Sequence, residues 1–186
     1  MNQVFEIHPL SWLIEDRGKK EVQKYLKSFK PYKDSDAGRF LLEKAIMMEN
    51  RDLSRTYLAI NPIDDEILGF VTLGVKCLAI PKENLLPKGM LEDMFIDPKT
   101  GVVQAFLLAQ LVRSENSPRG FGKELINLAM DVLINAKSLV GCRIVRIDCE
   151  DELVSYYREN GFTLVRPNEE GTLNQMLTFM SPLSLS

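Results

Sequence analysis

Residues 104–123 of the chain read QAFLLAQLVRSENSPRGFGK. An apolar run over 105–112 ends in a short polar loop, a glycine-bearing turn follows, and a helical pattern begins at once. Strand, turn and helix start in this order make a place that can hold phosphate. The first turn of a helix points unpaired backbone N–H groups outward at the positive end of the macrodipole. Gly120 and Gly122 let a ligand approach the main chain, and Arg119 and Lys123 add positive charge beside it. In the helix that follows, Leu125, Leu128, Ala129, Val132, Leu133 and Ala136 form one apolar stripe, and Gly141 supplies a stop.

A G-x-G at a helix start also serves as a tight turn with close packing. The phosphate-loop pattern G-x-x-x-x-G-K-[ST] is absent, as is the three-glycine dinucleotide fingerprint. A second stretch downstream bears on the choice. Residues 142–148, CRIVRID, read as a strand, residues 150–157 as the start of a helix, and the helix closes on Tyr157-Arg-Glu-Asn-Gly161-Phe162.

These two stretches together resemble the signatures of the GNAT acetyltransferases, over roughly residues 55–180. In that family a bulged fourth strand leads into Q/R-x-x-G-x-G/A, and the closing motif is Tyr-x-x-x-Gly-Phe. Here the first motif is Ser117-Pro118-Arg119-Gly120-Phe121-Gly122, with Ser in place of Gln or Arg at its head. The resemblance implies an α/β (α+β) fold in a single domain, residues 1–186. It implies a mixed, mostly antiparallel central sheet of six to seven strands, with strands four and five splayed and helices on both faces. Residues 1–54 would be the helical, acceptor-side part and 55–180 the sheet and acetyl-CoA-binding core.

The implied site follows residue by residue. Ser117, Arg119, Gly120, Phe121, Gly122 and Lys123 would hold the pyrophosphate of acetyl-CoA. Amides near Leu111, Val112 and Arg113 would face the pantetheine arm between strands four and five. Tyr157 would protonate the departing thiolate, a role open to a phenol that is neutral at physiological pH. The residue-level alternative for Tyr157 is a half-buried aromatic with a polar tip. For the general base, the fourth strand offers only Gln104 and Gln110. Glu92, Asp93, Asp97 and Glu115 are nearby carboxylates, and ordered water is the other route.

The resemblance thus implies an N-acetyltransferase that passes the acetyl group of acetyl-CoA to a primary amine by direct attack in a ternary complex. The first hundred residues, with SRTYLAI and ILGFVTLGV, resemble toxin-type members that acetylate aminoacyl-tRNA, so that acceptor is an alternative. A non-catalytic acyl-CoA sensor on the same scaffold is another. The net charge of −3 gives no general attraction to nucleic acid or anionic membrane, so nucleic acid enters only as aminoacyl-tRNA. Cys77, Cys142 and Cys149, an odd set without framework spacing, read as reduced, buried residues in a cytoplasmic setting. His8 is the sole histidine, which argues against a His-based metal centre or triad. The N-terminal MNQVFEIHPL does not read as a signal peptide, and no stretch reads as a membrane span. A homodimer is compatible with all of this.

Along the rest of the chain, residues 4–7 read as a short strand ended or confined to an edge by Pro9. Residues 19–29 read as a helix whose polar face carries Lys19, Lys20, Lys24, Lys27 and Lys30. That face is either simply solvated or a rim for an anionic ligand. Residues 34–36 would cap a further helix through 48. Residues 55–60 and 67–80 read as a hairpin, with Gly69 and Gly74 as bend or bulge points. Residues 81–101 read as a long loop, either a surface insert or a wall of the acceptor pocket. Residues 163–165 and 175–180 close the fold, joined by a turn over 167–172.

Overall fold

A computed structural model describes residues 5–167, 171 and 173–180. Val4 of the expected first strand, and positions 168–170 and 172 of the last turn, lie outside the described residues. The elements run β1 (Glu6–Pro9), α1 (Leu10–Arg17), α2 (Lys19–Leu26), α3 (Asp36–Glu43), α4 (Ala45–Asn50), β2 (Arg55–Asn61), β3 (Glu66–Val75) and β4 (Leu78–Ala79). Then come α5 (Lys88–Asp93), β5 (Val102–Val103), β6 (Phe106–Arg113), α6 (Phe121–Leu139), β7 (Ile144–Cys149), α7 (Val154–Glu159), β8 (Thr163–Pro167) and β9 (Asn174–Phe179). Seven strands form one mixed sheet in the order β1-β2-β3-β6-β7-β9-β8, and β4 pairs with β5 in a small second sheet. No helix among the described residues is long and apolar enough to cross a membrane.

The chain divides into two compact units. In the first, residues 5–74 and 109–129, the helices α1 to α4 supply Leu10, Leu13, Val22, Leu26, Leu41 and Ala45 to a core completed by Leu58, Ile60, Ile67, Phe70 and Val112. Pro9 ends β1 on the edge of the sheet, opposite Tyr57. Ser35 caps α3, its Oγ accepting the Gly38 N–H at 3.1 Å. The helix expected to continue through Met48 breaks at Lys44, which ends α3 and precedes α4. On β2 and β3 the register slips between Ala59 and Ile60, which face Gly69 and Ile67, so the irregularity falls beside Gly69 as the glycine suggested. A Cβ on Gly69 would lie 2.8 Å from Leu125 Cδ1 and 2.9 Å from the Val112 carbonyl oxygen. The bare backbone there lets α6 and β6 close onto β3.

In the second unit, residues 75–108 and 130–180, Leu78, Leu86, Met94, Val103, Ala105, Ile144, Val165 and Leu177 share a core. The long connection over 81–101 is therefore anchored along its length. Leu86 and Met94 are buried, the Leu85 amide donates to the Val165 carbonyl, and the Asp97 carboxylate accepts the amides of Lys99 and Thr100.

Candidate functional site

The polar loop after β6 is fixed by main-chain bonds within the first unit. The Ser114 amide donates to Leu68 O, the Glu115 amide to Lys30 O, and the Tyr32 amide to Arg113 O. The Arg113 guanidinium sits 3.4 Å over the Tyr32 ring. Ser117 is buried, and its amide and its Oγ both donate to the Ser114 carbonyl, the hydroxyl at 2.7 Å. The side chain that departs from the family motif is thus spent inside the loop, where it shapes the turn. Phe121 is likewise buried and meets Phe5 edge-on at 5.2 Å. Of its groups only the main chain belongs to the turn, where its N–H already donates to Pro118 O.

Gly120 has φ +85°, and nothing lies within 4 Å of where its Cβ would stand. Close packing is therefore not the reason for glycine here; the left-handed conformation is. The Lys123 amide bonds back to Gly120 O, but among the described residues no acceptor engages the amides of Arg119, Gly120 or Gly122. Arg119 and Lys123 are exposed. Unengaged amides, an open approach and two cations at the start of the 19-residue α6 fit a diphosphate. Of the expected strand positions, Val112 turns its side chain into the core while Leu111 and Arg113 are half-buried, so only main-chain groups of Val112 remain for a ligand. In the second unit the parallel register of β6 with β7 comprises Phe106↔Val145, Leu107↔Arg146 and Leu108↔Ile147.

Tyr157 lies in the second unit near the end of α7. The Phe162 amide donates to Tyr157 O at 3.0 Å and the Gly161 amide to Arg158 O at 3.0 Å, with Gly161 at φ +86°. This pair of bonds is the Schellman arrangement, and its usual apolar clasp is present, since the rings of Tyr157 and Phe162 meet edge-on at 5.7 Å. The motif Tyr-x-x-x-Gly-Phe is thus a helix stop that clamps the tyrosine. Tyr157 is 7 % exposed, and burial, with Cys149 and Tyr156 beside it, pushes its phenol well above the usual range. Its hydroxyl makes no hydrogen bond among the described residues, so a protonated donor group is held in place and uncommitted.

Three of the carboxylates offered by the sequence, Glu92, Glu115 and Asp97, are engaged at the surface. Glu92 pairs with Lys88 at 3.7 Å and Glu115 with Lys30 at 3.7 Å. The Lys99 and Thr100 amides hold the Asp97 carboxyl below its ordinary value, which makes it a poor base. Among the described residues no cluster of His, Cys, Asp and Glu could hold a metal ion. Two polar features escape the motif reading. Arg146, 4 % exposed, forks onto both oxygens of Asp148 at 2.8 Å and donates at 2.8 Å to the carbonyl of Cys77, which is exposed rather than buried as expected; of the three cysteines only Cys149 is buried. Glu49 is 5 % exposed on α4. The first could have been found from the i, i+2 spacing of opposite charges on a strand; the second leaves no mark in the sequence.

No protein-family model matches the chain, and no curated protein matches its sequence. Solved structures match it closely in fold. A structure of AtaT complexed with acetyl-methionyl-tRNAfMet has a TM-score of 0.70 at 18% identity, covering 92% of this chain and 94% of that one. A tyrosine-to-phenylalanine mutant of KacT has a TM-score of 0.73 at 16% identity, covering 96% of each chain. A mutant AtaT toxin bound to the C-terminus of the antitoxin AtaR and acetyl-CoA has a TM-score of 0.60 at 16% identity, covering 83% and 85%. The chain has the GNAT fold, as the two signatures implied.

Proposed function

We propose that the chain is an acetyl-CoA-dependent N-acetyltransferase acting by direct attack in a ternary complex. The observation that carries this is the turn at Gly120, whose conformation, open approach and unengaged amides suit a diphosphate and have no packing role. In this reading Arg119, Lys123 and the amides of 119, 120 and 122 hold the diphosphate, and Ser117 and Phe121 shape the turn that presents them. Main-chain groups near Leu111, Val112 and Arg113 orient the pantetheine arm. Acetyl-CoA, when bound, supplies the activated acetyl group. Tyr157 keeps a proton on its phenol oxygen for the sulphur that leaves, its ring clamped by the helix stop. Titration calorimetry with acetyl-CoA tests the first part, and release of CoA thiol with a panel of amines tests the second. Failure to bind acetyl-CoA would overturn the reading, and binding without turnover on any acceptor would leave the sensor.

For the acceptor, one reading stands out. The fold is shared with AtaT, solved in complex with acetyl-methionyl-tRNAfMet, and Lys19, Lys20, Lys24 and Lys27 are all exposed on or beside α2. We infer an aminoacyl-tRNA acceptor on that basis, with α2 contacting phosphates. Transfer to aminoacyl-tRNA should then weaken steeply as salt rises, because each phosphate contact releases counterions. A salt-insensitive reaction, or one confined to small amines, excludes it.

A further inference from the structure

Tyr32 is the most exposed aromatic side chain among the described residues of the first unit, at 62%. It is nevertheless held in place. Residues 30–32 run antiparallel to residues 113–115, paired at Pro31 and Ser114. The Tyr32 amide donates to Arg113 O at 2.9 Å and the Glu115 amide to Lys30 O at 3.0 Å, one bond on either side of that pair. Pro31 fixes its own backbone angle and packs against α3, where a Cβ on Gly38 would stand 2.9 Å from Pro31 Cβ. The Arg113 guanidinium, 3.4 Å from the centre of the Tyr32 ring, covers one face. The exposure of the ring leaves its other face to solvent.

The charge around the ring indicates what would lie on that face. Residues 19–39 hold six lysines and one arginine against three acids, a net charge of +4 in a chain whose total is −3. Lys24, Lys27, Lys30 and Lys33 are exposed and lead along the chain to Tyr32 and just past it. The acids nearby are already matched. Arg39 holds Asp34 at 2.7 Å and Asp36 at 2.5 Å, and Glu115 lies 3.7 Å from Lys30. A pinned aromatic face at the end of a basic row suits a single strand, whose phosphates follow the cations while a base stacks on the ring. Because the ring is ordered before anything binds, stacking carries little ordering cost.

We propose that Tyr32, backed by Arg113, is a stacking platform for an unpaired nucleobase of the acceptor RNA, whose phosphates run along Lys24, Lys27 and Lys30. This rests on the aminoacyl-tRNA reading of the acceptor and adds to it a contact made by a base rather than by phosphate.

Fluorescence anisotropy of the full chain with a labelled hairpin RNA that carries a short single-stranded 3′ overhang tests the platform, beside the same hairpin with an abasic overhang. Tyr32→Ala should weaken the intact RNA about fivefold or more and leave the abasic RNA within about twofold. Tyr32→Phe should keep the wild-type affinity, because the face and not the hydroxyl is used. Lys27→Gln should weaken both RNAs alike and lower the salt slope by about one. Acetyl-CoA affinity should be equal in Tyr32→Ala and wild type, which also reports an intact fold. Salt-dependent RNA binding that Tyr32→Ala leaves unchanged, or weakens equally for both RNAs, overturns the platform and leaves the tRNA reading standing. Absence of RNA binding by the wild type overturns both. Loss of acetyl-CoA affinity in Tyr32→Ala with RNA binding unaffected assigns the ring to the cofactor's adenine and overturns the proposal.

Discussion

Replacing Tyr157 with phenylalanine removes one oxygen and little else, and the structure fixes what that should do. The hydroxyl makes no hydrogen bond among the described residues, while the ring's contacts with Tyr156 at 5.3 Å and Phe162 at 5.7 Å survive the change. Unfolding free energy should therefore move by no more than about 0.5 kcal/mol. Turnover should fall by about 10²- to 10⁴-fold, the usual contribution of a positioned acid, which is roughly 3–6 kcal/mol at about 1.4 kcal/mol per decade. Affinity for acetyl-CoA should hold, because the diphosphate turn is untouched. Steady-state CoA release, calorimetry and urea denaturation read the three quantities. The pH dependence adds a check with a definite sign. Burial lifts the phenol above its ordinary value of 10.0, so the folded chain keeps a proton that the unfolded chain gives up. The resulting stabilisation is complete below that value and is lost as pH rises through the folded value, and Tyr157 should impose no falling limb on kcat below it. A Tyr157→Phe enzyme that keeps kcat within about twofold would refute the acid role.

Three further substitutions test the frame around the site. Gly69→Ala forces a methyl to 2.8 Å from Leu125 Cδ1 and 2.9 Å from a carbonyl that cannot swing aside, and should cost about 1–3 kcal/mol in urea denaturation. Gly161→Ala meets no atom within 4 Å, so its cost is the left-handed conformation alone, about 1–2 kcal/mol, with a matching loosening of Tyr157 visible as lower kcat. Arg146→Met leaves Asp148 without its fork and should cost about 3 kcal/mol in the same denaturation, the lower end for a broken buried pair because the Asp148 side chain is 18% exposed.

Much of this fold is legible in the chain because its signatures are local backbone devices. Gly161 and Phe162 stop α7 by hydrogen bonds that span only a few residues, so sequence spacing is enough to see them. The stripe of α6 and the β2–β3 hairpin are legible for the same reason. The helix α1 is not: LSWLIEDR is eight residues, with Leu10 and Leu13 its only buried positions, too short for a period to show. The break at Lys44 carries neither glycine nor proline, and comes from packing Phe40, Leu41, Ala45 and Ile46 into one core. The pairing of β4 with β5 joins two-residue strands whose partners are distant in the chain, which no window of sequence reveals. Glu49 reads as an ordinary helix-surface acid, and only the fold buries it.

The glycines separate what a motif does from what it resembles. A G-x-G before a helix has two explanations in sequence, close packing and a ligand-facing turn, and one measurement distinguishes them. At Gly69 a methyl group would strike a side chain and a carbonyl, so glycine there serves packing. At Gly120 the same methyl would meet nothing, and φ is +85°. The glycine there sets a backbone shape, and that shape leaves amides unengaged at the dipole-positive end of α6. If the turn holds the diphosphate, Gly120→Ala should weaken acetyl-CoA binding as well as costing the fold about 1–2 kcal/mol, whereas Gly69→Ala should weaken the fold and leave acetyl-CoA binding unchanged. Calorimetry and denaturation on the two variants show this split, or the distinction drawn from their surroundings fails.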